Sequence, residues 1–479
     1  MPGHKRKMAG FPMESCYGID ITEIDGFDNL HCPQGILLDI MRRAERLFGA
    51  ETYMLINGST AGILSAVSAT LRRGERILLA RNSHKSAFHG VALSGGRAAY
   101  LYPQYLQDYG LCGAVSPQEV ERKLSEYPQA KAILLTSPTY DGMVSDVAAI
   151  ASLAHERGIP LIVDEAHGAH FMLDQRFPPS AVSLGADIVI HSIHKTLPAL
   201  TQTALLHVQG KLVDRKRLQY FLSVYQTSSP SYILMAGIGQ CISILEQRAA
   251  ELCERFFQWN QTFERQMKTL ACLRVFSTEA DRYKGRGIFA HDTGKKIISA
   301  AGTAITGKEL YDLLLSRYGL QMEMAGQDYV TAIMTIMDTQ EGFDRLGGAL
   351  AQIDRELRPA TEWTGHLQTD NKNRRQSLDS QHIDHNDSAV WLRTGQPACE
   401  MDAALEQRWK SVLVEESPGK ISAGFVHIYP PGIPLIVPGE IFTKEVVTTL
   451  LSYKKQGFMI EGMQDNNNKV CVIGEEKDA

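Results

Sequence analysis

Two apolar runs in this chain each end in groups that can do chemistry. Residues 188–190, Ile-Val-Ile, form a short β-branched run that reads as a buried strand, and it delivers Ser192, His194 and Lys195 just past its end. Upstream, residues 159–163 read as a second strand that runs into Asp164, Glu165, Ala166, His167 and His170. An amine close to an acid and to imidazoles, in a place where it can lose its charge, is what a Schiff base to an aldehyde cofactor requires. Pyridoxal phosphate fits that chemistry, because an acid against its ring nitrogen keeps the nitrogen protonated and makes the ring an electron sink.

The neighbouring stretches add parts of the same site. Residues 57–62, NGSTAG, follow a short strand at 53–56 and open a helix that runs to about Leu71. Small residues and the hydroxyls of Ser59 and Thr60 at a helix start offer N–H and O–H donors to a phosphate. The strand 76–80 ends in RNSHKS, which puts His84 at a strand-to-helix junction, where a flat imidazole can stack on a flat ring. Residues 136–142, TSPTYDG, are a further strand exit, and Thr139 and Tyr140 there are candidates for lining a site.

These residues need a scaffold, and the pattern supplies one. Strands are expected at 98–102, 132–136, 159–163, 188–190 and 203–208, separated by helical stretches such as 116–126 and 147–157. That alternation argues for an α/β fold with a large, mostly parallel sheet and helices on both faces; ligands bind such sheets at the carboxyl ends of the strands. Residues 1–35 read as an N-terminal arm without a helical period, carrying Ile19, Ile21, Ile24, Phe27 and Leu30 as residues to bury on another surface. The cofactor-binding domain is expected over 36–250 and a small α/β domain over 251–362. A polar linker or surface loop follows at 363–399, and a C-terminal α/β domain at 400–479. A helix-rich stretch is expected over 232–268, leading out of the cofactor domain, and shorter helices at 403–409 and 443–453, with fraying beyond Gly457.

Bulk properties narrow the class. The chain has 479 residues, too many for one ordinary core, and 44 % hydrophobic with 22 % charged residues is the balance of a soluble globular protein. A net charge of −5 with no basic stripe beyond the short cluster from His4 to Lys7 argues against a nucleic-acid partner. No apolar run reaches membrane-spanning length and no signal-peptide core follows the first basic residues, so the expected location is cytoplasmic. The eight cysteines lack CxxC pairs and read as free thiols. His382 and His385 have no well-spaced third or fourth ligand, so no metal is expected.

Taken in order, NGSTAG, RNSHKS, TSPTYDG, DEAHGAH, SIHKTLPALTQ, QTSSPSY and YPPGIPLIVPGE resemble the Orn/Lys/Arg decarboxylase family of pyridoxal-phosphate enzymes, over nearly the whole chain. The resemblance implies the aspartate-aminotransferase fold (fold type I) and decarboxylation of arginine, lysine or ornithine. It implies that Lys195 forms the Schiff base, Asp164 holds the ring nitrogen, Ala166 lies behind the ring, His167 lies near its phenolic oxygen and His84 stacks on its face. Ser59, Thr60, Ser192 and His194 match positions at the phosphate and beside the lysine. Thr227 resembles a residue that reaches the phosphate of the neighbouring subunit's cofactor, which implies a homodimer with shared active sites. Glu440, in a region expected to close over the site, is the implied partner for the substrate's distal cation, with Asp20 and Glu23 of the arm as alternatives.

The same constellation bears on the reaction: Lys195 or His84 can return a proton to the substrate's α-carbon. The flavodoxin-like domain that precedes this region in the largest relatives is absent, so assemblies built through it are not expected. Two other readings share these residues. An aminotransferase or lyase on the same scaffold would prefer an arginine clamp for the α-carboxylate, and none is assignable. A regulatory protein that binds the cofactor without turnover is disfavoured by the intact Lys195, Asp164 and His84.

Overall fold

The computed structural model describes residues 14–358, 397–429, 432–464 and 468–474. The basic cluster at the start and most of the polar segment, with His382 and His385, lie outside the described residues. A seven-stranded sheet forms the centre. Its strands are β1 (Glu51–Leu55), β2 (Arg76–Ala80), β3 (Arg97–Leu101), β4 (Ala132–Thr136), β5 (Leu161–Asp164), β6 (Ile188–His191) and β7 (Ala204–Val208), in the order β1-β7-β6-β5-β4-β2-β3. From β3 through β6 every pairing is parallel. The pairings of β7 with β6 and with β1 are antiparallel, and two reversals in succession return β1 to the direction of β6. The carboxyl ends of β1, β2, β4, β5 and β6 therefore share one edge of the sheet.

Both faces of this sheet are covered, as the alternating pattern requires. Ile77 and Leu79 of β2 pack with Ile63, Val67 and Phe88 from the helices Gly58–Thr70 and Lys85–Ser94. Leu78 and Ala80 point the other way and pack with Val120, Leu124 and Ile150 from the helices Pro117–Glu126 and Val147–Glu156. Ser116 and Asp146 cap those two helices by accepting from the N–H groups of Glu119 and Ala149.

The helix Tyr232–Met267 is continuous over 36 residues, through the expected boundary at residue 250, and leads to a four-stranded antiparallel sheet. That sheet consists of β8 (Arg274–Val275), β9 (Lys295–Ser299), β10 (Met324–Ala325) and β11 (Tyr329–Ile333), in the order β8-β9-β11-β10. A further set comprises β12 (Trp409–Leu413), β13 (Val426–Ile428), β14 (Ile433–Ile436), β15 (Ile460–Glu461) and β16 (Lys469–Ile473) around Val426, Ile436, Phe442, Val446 and Val470. Among the described residues no helix is long and apolar enough to cross a membrane.

Three local expectations are corrected. The stretch beyond Gly457 contains β16, which pairs antiparallel with β12, and the helix expected at 403–409 is Met401–Leu405, with Trp409 already in β12. The partner of each strand is remote in sequence, so neither local pattern signals the pairing. The arm contains a six-residue helix, Glu14–Ile19, too short for a period to register. Of the arm's apolar residues Leu30 is buried, whereas Ile19, Ile24 and Phe27 are exposed by half or more.

Candidate active site

Backbone geometry makes the site before any side chain does. Where β1, β2, β4, β5 and β6 end, their exits line a cavity of about 250 Å³ together with Tyr429 and Ile433 from the C-terminal unit. Lys195 reaches it from the short helix Ile193–Thr196 after β6, and Asp164 is the last residue of β5. Burial lowers the Lys195 amine from its ordinary value, although Asp164 and Glu323 act in the opposite sense. Burial also raises Asp164, with Lys195 and the Ala166 N–H (3.1 Å) opposing it. Each group is thus the other's main electrostatic support in a poorly solvated place.

His84 is the N-cap of the helix Lys85–Ser94, and its Nδ1 accepts from the Ser86 N–H at 3.2 Å. That bond leaves the ring proton on Nε2. Burial, aided by Lys195 and Lys85, pushes His84 down to about 3, so the ring is neutral and available to lie against a flat partner. Gly432 makes room beside it: at φ +82°, a Cβ there would sit 3.2 Å from the His84 ring. His194 holds the Thr203 carbonyl through Nδ1–H at 2.8 Å, which turns its ring with respect to Lys195.

The helix Gly58–Thr70 provides the anion seat. Its N-cap, Asn57, makes no side-chain cap, because its Oδ1 accepts instead from the Thr227 N–H at 3.2 Å. The first N–H groups are left without a side-chain partner at the point where Ser59 and Thr60 line the cavity. Ser192 is fully buried and donates to Ser59 Oγ at 2.8 Å, tying the β6 exit to this helix. An uncapped helix start, a buried acid, a small Ala166 and a desolvated amine in one cavity fit a phosphorylated aromatic aldehyde.

Of the residues singled out in the sequence, Ser59, Thr60, His84, Asp164, Ala166, His167, His194 and Lys195 line this cavity. Three do not. Glu440, expected to anchor the substrate, is fully buried and accepts from Arg81 at 3.0 Å and from the Val437 N–H at 3.0 Å. Arg81 also donates to the carbonyls of Pro434 (2.7 Å) and Leu435 (3.1 Å), so this acid and its arginine staple the β2 exit to the C-terminal unit. Thr227 is exposed and accepts from His31 through its carbonyl at 2.9 Å, and Asp20 is half-buried after the arm helix; both lie outside the cavity of their own chain.

The cavity also contains residues the sequence did not single out. Asn82, Tyr429 and Ile433 line it, and Lys295 lies behind His167, 2.7 Å from its Nδ1. Tyr140, a candidate from its strand exit, lines it as well and donates its hydroxyl to Glu323. Tyr429 and Ile433 flank the Pro-Pro-Gly sequence at 430–432, and that run of Pro and Gly was the available signal. No local signal marks Lys295, which arrives from another sheet.

Known proteins resemble this chain over most of its length. The chain matches the Orn/Lys/Arg decarboxylase major domain over residues 3–295 and the C-terminal domain of the same family over residues 392–464. It is 30 % identical over 490 residues to an arginine decarboxylase of Bacillus subtilis (strain 168), covering all of this chain and 94 % of that protein. It is 27 % identical over 493 residues to an arginine decarboxylase of Halalkalibacterium halodurans, again covering all of this chain and 94 % of the other. The crystal structure of the Francisella novicida lysine decarboxylase LdcF superposes with a TM-score of 0.83 at 18 % identity, over 99 % of this chain and 78 % of that one.

Proposed function

Because the chain belongs to the Orn/Lys/Arg decarboxylase family, we propose that its pyridoxal-phosphate-dependent decarboxylation of a basic amino acid runs in the cavity around Lys195, with arginine as the substrate. The choice of arginine is supported by the relatives named arginine decarboxylase that align with the whole chain. The observation that carries the site reading is the desolvated Lys195 amine, in one cavity with Asp164, His84 and an uncapped helix start.

Pyridoxal phosphate, when bound, supplies an electron sink for the pair left on the α-carbon as carbon dioxide departs. The chain's residues hold and protect that chemistry. Lys195 would provide the uncharged nitrogen that holds the aldehyde carbon. Asp164, buried at the end of β5, would hold a proton at the ring nitrogen, and the small Ala166 would leave space for the ring. His84 would lie against one face of the ring, and Lys195, once displaced by the substrate's amine and carrying its proton as an ammonium, would return that proton to the α-carbon. The first N–H groups of Gly58–Thr70, with Ser59 and Thr60, would hold the phosphate.

The distal cation needs another acid, since Glu440 already holds Arg81. Glu323 accepts from Tyr140, a cavity-lining residue, and its charge reaches Lys195, so it is the carboxylate assigned here to the guanidinium or ammonium of the substrate. All eight cysteines are unpaired, which supports a cytoplasmic setting, and the exposed apolar arm supports a homodimer.

Lys195→Ala tests the centre of this reading. The variant is expected to fold, to lose the long-wavelength absorption of bound cofactor and to release no amine product. A variant that keeps that absorption and turns over would sink the assignment. Amine product measured from arginine, lysine and ornithine in turn identifies the substrate; faster release from lysine or ornithine than from arginine would remove arginine from its place.

A further inference from the structure

His167 has a lysine on each side. Its Nε2 stands 3.1 Å from Lys195 Nζ and its Nδ1 stands 2.7 Å from Lys295 Nζ. Lys295 is fully buried and does not line the cavity; it opens β9, so the smaller sheet delivers an amine to the back of the site formed by the large one. The Tyr140 ring meets His167 edge-on, with centroids 4.8 Å apart, and restricts its rotation.

The protons of this triad are constrained. Burial, reinforced by the two lysines and by His194 and His84, holds His167 far below the ordinary histidine range, so the ring is neutral. A neutral imidazole has one N–H and one lone pair. Two ammonium groups on opposite nitrogens would need two lone pairs. One of the two lysines is therefore an uncharged amine that accepts from the ring.

The surroundings indicate which one. Burial lowers Lys295 to about 8 and Lys195 adds to the fall, while Asp292, Glu323 and Asp141 oppose it and keep it an ammonium near neutrality. Burial alone would raise Asp292, yet His170 at 3.1 Å, Lys295 and the Gly294 N–H hold it down at about 2, so a permanent anion stands beside Lys295. Lys195 faces Asp164 and Glu323, and Asp164 is the acid assigned above to a protonated ring nitrogen. With Asp164 engaged there, the remaining negative charge favours the ammonium on Lys295.

We propose that Lys295 is a positioning residue for Lys195: as an ammonium it donates to His167 Nδ1, fixes the Nε2–H tautomer, and so faces Lys195 with a donor that only an uncharged nitrogen can accept. This rests on the reading of Lys195 as the cofactor lysine.

The test follows how fast the full-length protein, stripped of cofactor, takes up pyridoxal phosphate across the alkaline range, using the absorption of the bound form. The midpoint of that profile reports the Lys195 amine. Lys295→Met is expected to move the midpoint upward by about one unit, making uptake roughly tenfold slower near neutrality and restoring the wild-type rate in alkali. A loss that persists in alkali, or an unmoved midpoint, overturns the proposal. His167→Phe is expected to move the midpoint the same way, and the two shifts are expected not to add; additive shifts would assign the effect of Lys295 to charge alone and overturn the relay. Should Lys295→Met fail to fold, His167→Phe decides, an unshifted midpoint there being the overturning result. Retention of the absorption in Lys195→Ala overturns the reading of Lys195 and this proposal with it. Loss of absorption there, with an unshifted profile in Lys295→Met, overturns the proposal for Lys295 alone.

Discussion

An acid can support a protein or recognise a ligand, and burial with its partners decides which. Glu440 and Arg81 are each about 1 % exposed at the side chain, and the arginine is held by two further carbonyls. Removing one member of such a pair leaves the other charged and buried, at a cost of roughly 3–5 kcal/mol. Glu440→Gln is therefore expected to lower the midpoint of thermal unfolding by several degrees, with KM for the basic amino acid little changed in the protein that remains folded. Glu323→Gln is expected to do the reverse: unchanged unfolding, and kcat/KM for arginine reduced by about tenfold or more, as for a lost charge-assisted bond of roughly 1.5–3 kcal/mol. Thermal melts and initial rates on the two variants separate the roles, and a loss of substrate affinity confined to Glu440→Gln would restore that residue as the anchor.

The helix Gly58–Thr70 is the element whose orientation matters most, since its start carries the partial positive charge that the sheet edge brings to the cavity. A carboxylate at Ser59 would favour the helix and oppose a phosphate. Ser59→Asp is expected to leave the unfolding midpoint of the cofactor-free chain unchanged or slightly raised while weakening cofactor binding about tenfold or more, measured by titration of pyridoxal phosphate. Equal affinity for the cofactor would show that its phosphate lies elsewhere. This element was legible in the sequence because small residues and hydroxyls after a strand are a local signal. Strand β16 was not, because its partner β12 ends more than fifty residues earlier and the local composition is polar on both sides.

At the scale of the whole molecule, the arm leaves a surface that one chain does not cover. Ile19, Ile24 and Phe27 are 59 %, 50 % and 52 % exposed, on a segment that is anchored to its own chain by Phe27 on the Tyr232 ring and by His31 on the Thr227 carbonyl. Anchored apolar residues facing outward suit a symmetric contact with a second copy. The protein is expected to sediment as a dimer, and Ile19→Asp with Ile24→Asp to shift it toward monomer with a parallel loss of activity. A fully active monomer in sedimentation would remove both the shared site and the role of Thr227 in it.

What the sequence determined by itself is what local pattern can encode. Short continuous apolar runs, their alternation with helices, strand-exit motifs and a helix start made of small residues specify a largely parallel sheet with Lys195, Asp164, His84, Ser59 and Thr60 on one edge, because the exits of parallel strands converge wherever the strands do. Pairings between distant segments belong to the tertiary structure. It placed Glu440 on Arg81 because the C-terminal unit folds back on the β2 exit, and burial there removes the water that either charge would otherwise use. It brought Lys295 behind His167 because β9 starts beside the site. No spacing along the chain records either contact, since each depends on how separate layers pack and on the desolvation that packing imposes.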